Sequence, residues 1–296
     1  MSVQRVPSTL AELVAPLSEE AFVTLLRERK LTLLRGAGVD RYSSLLNWQT
    51  LLQMIERGQH PSSLAEFRLV KDSQMAPPDR WLKRNPAGPG NVVDIPNLLA
   101  FLAGGFSLAV TRIDSYAPHL NTLCKSIRST LREQIKVGAI VTTGKAGAFT
   151  LHYDPEDLII LQVEGRKRWK IFGPPVVNPI VGMAPPAAPP EDILLFDEIL
   201  ETGDFLFLPA GHWHRCENQS NRSLHLGFFF QPPSGLDVIK VLTAQLFADD
   251  QFRMPLTRLD GTSDLAAVEV NIKKRAMERI SKLDLREFFS DFENQE

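Results

Sequence analysis

The sequence predicts an α+β protein: an antiparallel β sandwich or jelly roll, preceded by a mixed α/β segment and followed by helices. Three observations predict it. From Gly138 onward, short β-rich runs recur with glycines or prolines between them: AIVTT, AFTLHYD, LIILQV, RWKIF, DFLFLP and SLHLGFFF. Ahead of them, helical and strand patterns are interspersed. Beyond QPPSG (231–235) the pattern is helical to the last residue. The 296 residues suffice for one large domain with an appendage. The expected divisions are 1–115 (mixed α/β), 116–235 (β-rich core) and 236–296 (helical).

The elements follow in order. A helix is expected from Ser18, with acids in its first turn and bases in its last. LTLLR (31–35) reads as a short strand. Leu45, Trp48, Leu52 and Ile55 recur at helical spacing, closed by Gly58. AEFRLVKD (65–72) alternates like a strand, and the Pro/Gly-rich stretch 71–91 reads as a long loop. DIPNLLAFLAGG predicts a helix with Asp94 near its cap, an early proline and a glycine stop. FSLAVTRID predicts a strand. Leu120, Leu123, Ile127, Leu131 and Ile135 predict a further helix with one apolar face. Residues 173–192 carry too many prolines for any interior element and read as a long surface loop, a candidate lid.

Composition excludes several classes. With 44% hydrophobic and 23% charged residues, the chain is an ordinary globular sequence rather than a disordered one. A net charge of -2 gives no bulk attraction to nucleic acid. The longest apolar stretch, Leu98 to Val110, is glycine-broken and too short to span a bilayer, and the N-terminus lacks a signal-peptide core. Two distant cysteines, Cys124 and Cys216, make no framework and suit a reducing cytosol. A cytoplasmic protein is therefore expected, with no membrane and no nucleic-acid partner.

Chemistry concentrates in the β-rich part, which holds four of the six histidines. His152 and Asp154, at i and i+2 of an extended segment, point to one side. A third ligand from a later strand would complete a 2-His-1-carboxylate metal site. ETGDFLFLPAGHWHRCEN (201–218) offers His212 and His214, and spacing alone does not choose between them. A histidine satisfied structurally by hydrogen bonds is the plainer reading of any one of these. In GRKRWKIF, alternation turns Lys167 inward with Trp169 and Ile171. A buried ammonium needs an anion. A structural ion pair, a snorkelling strand end and a bound ligand's carboxylate meet that need equally well.

These motifs together resemble the JmjC branch of the cupin superfamily, the Fe(II)- and 2-oxoglutarate-dependent oxygenases, and within it the ribosomal-oxygenase-like group. The matching residues are His152-Tyr153-Asp154, Leu161-Gln162, Gly165, Lys167 and Trp169, then Gly203-Asp204, Pro209, Gly211 and His214, then Ser223-Leu224-His225-Leu226, spanning about 138–232. The resemblance implies a double-stranded β-helix with the metal near one mouth. It implies His152, Asp154 and His214 as iron ligands, and Lys167 on the distal carboxylate of the cosubstrate 2-oxoglutarate. Thr150, Thr142 and Thr143 are candidates for a hydroxyl donor to that carboxylate, and His225 lines the barrel beside it. His212 would face substrate or cap its loop, Asp157 would be structural and Tyr153 packing. The implied reaction is a hydroxylase coupling oxidation of a protein or peptide side chain to decarboxylation of 2-oxoglutarate to succinate. The same chemistry on a small-molecule metabolite, and a cupin-like metal-binding module without turnover, are the rivals.

The 61 residues after 235 leave room for a helical element through which a homodimer could form, but little for a winged helix as well. With twelve acidic and nine basic side chains, 236–296 is not a basic docking face, which weakens the expectation of a ribosomal substrate.

Overall fold

The computed structural model describes residues 6–36, 41–57, 66–145, 147–189, 193–256 and 262–293. The expected glycine stop at Gly58 lies outside them, as do Ala65 and residues 190–192 of the long loop. The strands are β1 Thr32–Leu34, β2 Phe67–Lys71, β3 Gln74–Met75, β4 Leu82–Arg84, β5 Asn91–Val93, β6 Ser107–Val110, β7 Gln134–Thr142, β8 Asp157–Glu164, β9 Lys167–Phe172, β10 Leu194–Leu200, β11 Phe205–Leu208, β12 Trp213–Asn218 and β13 Ser223–Gln231. The helices are α1 Leu10–Val14, α2 Glu19–Glu28, α3 Trp48–Glu56, α4 Ile95–Ala103, α5 Pro118–Leu131, α6 Gly235–Phe247, α7 Thr262–Ile280 and α8 Leu285–Glu293. They fall into two compact units. One holds residues up to 130 and 135–231, the other holds 131–134 and 232–296.

In the first unit an eight-stranded sheet runs β1-β11-β8-β13-β7-β6-β2-β3, and a three-stranded sheet runs β10-β9-β12. The pairs β1/β11, β11/β8, β8/β13, β7/β6, β6/β2 and β2/β3 of the first, and β10/β9 and β9/β12 of the second, are antiparallel. This is the expected jelly roll. Leu158, Ile160, Leu206 and Leu208 from the large sheet pack against Trp169, Ile171 and Leu200 from the small one. Burying each such side chain contributes about 1.5–3 kcal/mol. β9 shows the alternation anticipated for it: Lys167, Trp169 and Ile171 are buried, while Arg168 and Lys170 are only half-buried. α2 is capped by Ser18, whose hydroxyl accepts from the Ala21 N–H. Its Phe22 packs edge-on against Phe205 and Phe207, with ring centres 6.4 and 5.7 Å away.

Several expectations are corrected. The α5 helix stops at Leu131, where Arg132 turns left-handed (φ 58°), so Ile135 belongs to β7 and not to the helical face. The stretch 71–91 is not all loop. Buried Trp81 anchors it, its carbonyl accepts from the Asp94 N–H, and β4 and β5 pair on either side of the Pro/Gly tip. AFTLHYD is not a ladder strand; it touches its neighbour through one isolated bridge at His152. Residues 173–189 carry no regular element, as expected, and the strand β10 that follows had no counterpart in the sequence reading.

In the second unit, α6, α7 and α8 realise the predicted helical segment. Ser234 and Asp237 form a capping box at the start of α6. Among the described residues no helix is long and apolar enough to cross a membrane.

Candidate metal centre

One backbone bridge assembles the centre. The His152 N–H donates to the His214 carbonyl at 3.1 Å, and the His214 N–H returns to the His152 carbonyl at 2.7 Å. This sets the two imidazoles 4.3 Å apart, centre to centre. Two residues on, the Asp154 carbonyl accepts from the Gly211 N–H at 2.9 Å, which ties the HxD segment to the turn that launches β12. Gly211 must be glycine. Its φ is +82°, and a Cβ there would lie 2.0 Å from the Val176 carbonyl oxygen.

The donor atoms of His152, Asp154 and His214 all lie within 4.8 Å of one another. The rings are oriented by their own chain. His152 Nδ1 lies 2.7 Å from the Thr150 carbonyl, and His214 Nδ1 lies 3.0 Å from the His212 carbonyl. A carbonyl only accepts, so each Nδ1 carries the proton and each Nε2 presents a lone pair. Burial pushes His214 down to about 3, which keeps it neutral. Burial also pushes the Asp154 carboxyl up, a cost that a divalent cation would reverse. Two imidazole Nε2 atoms and one carboxylate, converging on one point, fit a 2-His-1-carboxylate metal site.

A cavity of about 310 Å³ opens over this triad. Its apolar wall rests on Phe229, whose ring lies over two glycines. A Cβ at Gly138 or Gly227 would stand 3.2 or 3.1 Å from Phe229 Cε2. Trp169 stacks on His214 at 5.6 Å and meets His225 edge-on at 5.5 Å, so His225 joins the same wall.

Lys167 is fully buried. Its Nζ donates to Thr142 Oγ1 at 3.1 Å and lies 3.2 Å from His225 Nδ1, while Ser107 Oγ also donates to Thr142 Oγ1 at 3.0 Å. Among the described residues no carboxylate pairs with it, and burial pushes its pKa down. The ammonium keeps a third N–H, and the Thr142 hydroxyl, already accepting twice, keeps its proton to give.

The other anticipated residues fall as follows. Thr150 is exposed, with its Oγ1 2.8 Å from Ser73 Oγ; the hydroxyl brought to Lys167 is Thr142. Thr143 turns to the Leu102 carbonyl. His212 Nδ1 lies 2.9 Å from the Pro209 carbonyl, and the residue does not line the cavity. Asp157 accepts from the Ala210 N–H at 2.7 Å. Tyr153 packs edge-on against Trp213. Sequence reading missed Arg68, Arg112, Lys136 and Glu156, which also line the cavity. The first three come from β2, the turn after β6 and β7, where no local motif marks them.

The fold is that of the cupin/JmjC proteins, and residues 114–238 match the family model described as a JmjC domain. The chain is a JmjC-domain protein related to the ribosomal oxygenases. Over 230 residues, 76% of this chain, it is 26% identical to the bifunctional lysine-specific demethylase and histidyl-hydroxylase NO66 of Drosophila grimshawi, covering 31% of that protein. Over 225 residues, 72% of this chain, it is 27% identical to ribosomal oxygenase 1 of Rattus norvegicus, covering 35% of it. The chain thus spans about a third of the length of these curated relatives. The fold matches the ribosomal oxygenase YcfD of Escherichia coli, solved with cobalt and 2-oxoglutarate (TM-score 0.53, 16% identity, 93% of this chain and 71% of that one).

Proposed function

We propose that this chain is an Fe(II)- and 2-oxoglutarate-dependent oxygenase that hydroxylates a protein or peptide side chain. The observation that carries the reading is one arrangement: a triad with both Nε2 lone pairs set free, and a buried ammonium without a carboxylate joined to it through His225 and Trp169. A structural ion pair would have supplied Lys167 with a protein carboxylate. Its third N–H and the Thr142 hydroxyl instead suit an anion brought by a ligand.

His152, Asp154 and His214 would hold the iron. Bound iron with 2-oxoglutarate would supply the oxidising power, with succinate and carbon dioxide as co-products. The chain's own contribution is positioning. The Thr150 and His212 carbonyls fix the ligand tautomers. Trp169 fixes the plane of His214 through stacking. Lys167 and Thr142 would take the far carboxylate of 2-oxoglutarate, orienting it along the barrel. Phe229 and its glycine bed keep an apolar wall, which excludes water from the reacting atoms. Relatedness to the ribosomal oxygenases supports a protein or peptide substrate.

Purified protein with Fe(II) and 2-oxoglutarate should produce succinate, and cell extract incubated with it should yield a peptide heavier by one oxygen. Asp154→Ala is the control. If neither succinate nor metal-dependent 2-oxoglutarate binding is found, the reading fails.

A further inference from the structure

We infer that the cavity beside the triad accepts a substrate carboxylate, bound by Arg68 and Arg112. The inference rests on the oxygenase reading and names the chemistry of its substrate.

The charges lining the cavity carry the argument. Its cationic side chains are Arg68, Arg112 and Lys136, and its carboxylates are Asp154 and Glu156. Glu156 is buried and holds Lys136, with Oε1 2.6 Å from Nζ. Lys136 also lies over the Phe229 ring, 5.4 Å from its centre. Asp154 belongs to the triad. The cosubstrate's own carboxylates are spoken for, one at the metal and one at Lys167. Arg68 and Arg112 are left over. Among the described residues neither guanidinium has a hydrogen bond or an ion pair, and Arg68 Nε is buried without any acceptor.

Both are built into position. Arg68 sits on β2 directly opposite Ala109 of β6, whose small side chain leaves the cavity open in front of it. Arg112 has a left-handed backbone (φ 56°), which is costly for a side chain of this kind. The turn that follows holds it there. Buried Asp114 accepts from the Val137 N–H at 2.8 Å, pinning the turn to β7 next to Lys136. Planar guanidiniums bind carboxylates through paired N–H donors. A cationic substrate group would meet two unneutralised charges of its own sign. A carboxylate could arrive on an aspartate of a peptide or on a small dicarboxylate; both present the same chemistry.

The test uses the full chain loaded with Mn(II) and 2-oxoglutarate, titrated calorimetrically. The probes are a capped Gly-Gly-Asp-Gly-Gly peptide, its Asn and Lys counterparts, free malate, and malate diamide. At least one acidic probe should bind ten-fold tighter than its neutral counterpart. Preference for the peptide identifies a protein substrate, and preference for malate a metabolite. In the Arg68→Gln/Arg112→Asn double variant, chosen because asparagine tolerates the left-handed backbone, that gap should shrink below three-fold. The affinity for 2-oxoglutarate should stay within two-fold. Equal binding of acidic and neutral probes, tighter binding of the Lys peptide, or a gap that survives in the double variant would overturn the inference. If the double variant instead loses 2-oxoglutarate, the arginines serve the cosubstrate, and the inference fails while the oxygenase reading stands. Failure of the wild type to bind 2-oxoglutarate brings down both.

Discussion

Lys167→Met should cost the ligand-free protein less stability than breaking an ion pair would, while removing most of its affinity for 2-oxoglutarate. In the free protein the buried ammonium meets only Thr142 Oγ1 and His225 Nδ1. Charged hydrogen bonds of this kind contribute about 1.5–3 kcal/mol each, so the two offset roughly 3–6 kcal/mol of the ammonium's desolvation. That desolvation itself costs several kcal/mol. Methionine removes the penalty and both bonds together at similar volume. It leaves His225 Nδ1 without a donor, at about 1–3 kcal/mol. The relieved desolvation opposes the lost bonds, so the net change should stay below the cost of a broken ion pair. Breaking a structural ion pair would cost about 3–5 kcal/mol. On the binding side, losing a charged partner of the ligand carboxylate costs about 2–5 kcal/mol, roughly thirty-fold or more in Kd. Urea unfolding of the ligand-free variant and calorimetric titration of the Mn(II)-loaded variant measure the two effects separately. A variant destabilised by more than about 3 kcal/mol that binds 2-oxoglutarate as tightly as wild type would refute the reasoning.

Three further outcomes follow from other parts of the chain. His214→Ala should lose divalent-metal binding, whereas His212→Ala should keep it within about three-fold; equilibrium dialysis decides, and the opposite ranking would move the ligand to His212. Gly211→Ala forces a side chain into a left-handed backbone and onto the Val176 carbonyl, so it should cost at least about 1–3 kcal/mol in stability and weaken metal binding in the same dialysis assay. At the start of α6, Lys240 and the Ser234 hydroxyl and N–H hold Asp237 down at about 2. A carboxyl depressed below its unfolded value of 3.8 stabilises above that pH and loses the contribution as pH falls toward 2. Asp237→Asn should therefore lower the unfolding midpoint at pH 7, by an amount that shrinks steadily as the pH falls from 4 toward 2, as followed by circular dichroism.

Where the fold was legible in the sequence, one local rule was enough. α2 and α4 began where Ser18 and Asp94 said they would, because a cap is a contact between neighbours in the chain. β9 buried Lys167 because alternation puts it on the face of Trp169 and Ile171. Errors arose where distant residues outvoted local ones. The helical period through Ile135 was overruled by a left-handed Arg132 and by a place for Ile135 in the large sheet. The Pro/Gly-rich stretch 71–91 folded back on itself because Trp81 found a buried site that proline counting does not register.

The site divides the same way, and the division bears on function. The triad motifs lie close in sequence or end at a recognisable turn, so a pattern could find them. What the pattern could not supply was the orientation of each ring, which depends on the Thr150 and His212 carbonyls, or the identity of the hydroxyl at Lys167. Thr150 was the nearer candidate in sequence, yet Thr142 arrives from β7, in the sheet that faces β9 across the barrel. The cavity's charge was invisible for the same reason. Arg68, Arg112 and Lys136 come from three separate parts of the chain, and only β2-to-β6-to-β7 pairing sets them around one opening. Motifs thus locate the candidate metal site, while the side chains proposed to bind a substrate sit on strands and a turn whose sequences look like ordinary sheet. The acidic-probe titration is therefore the more searching test of what this chain does, since it depends on residues that no motif selected.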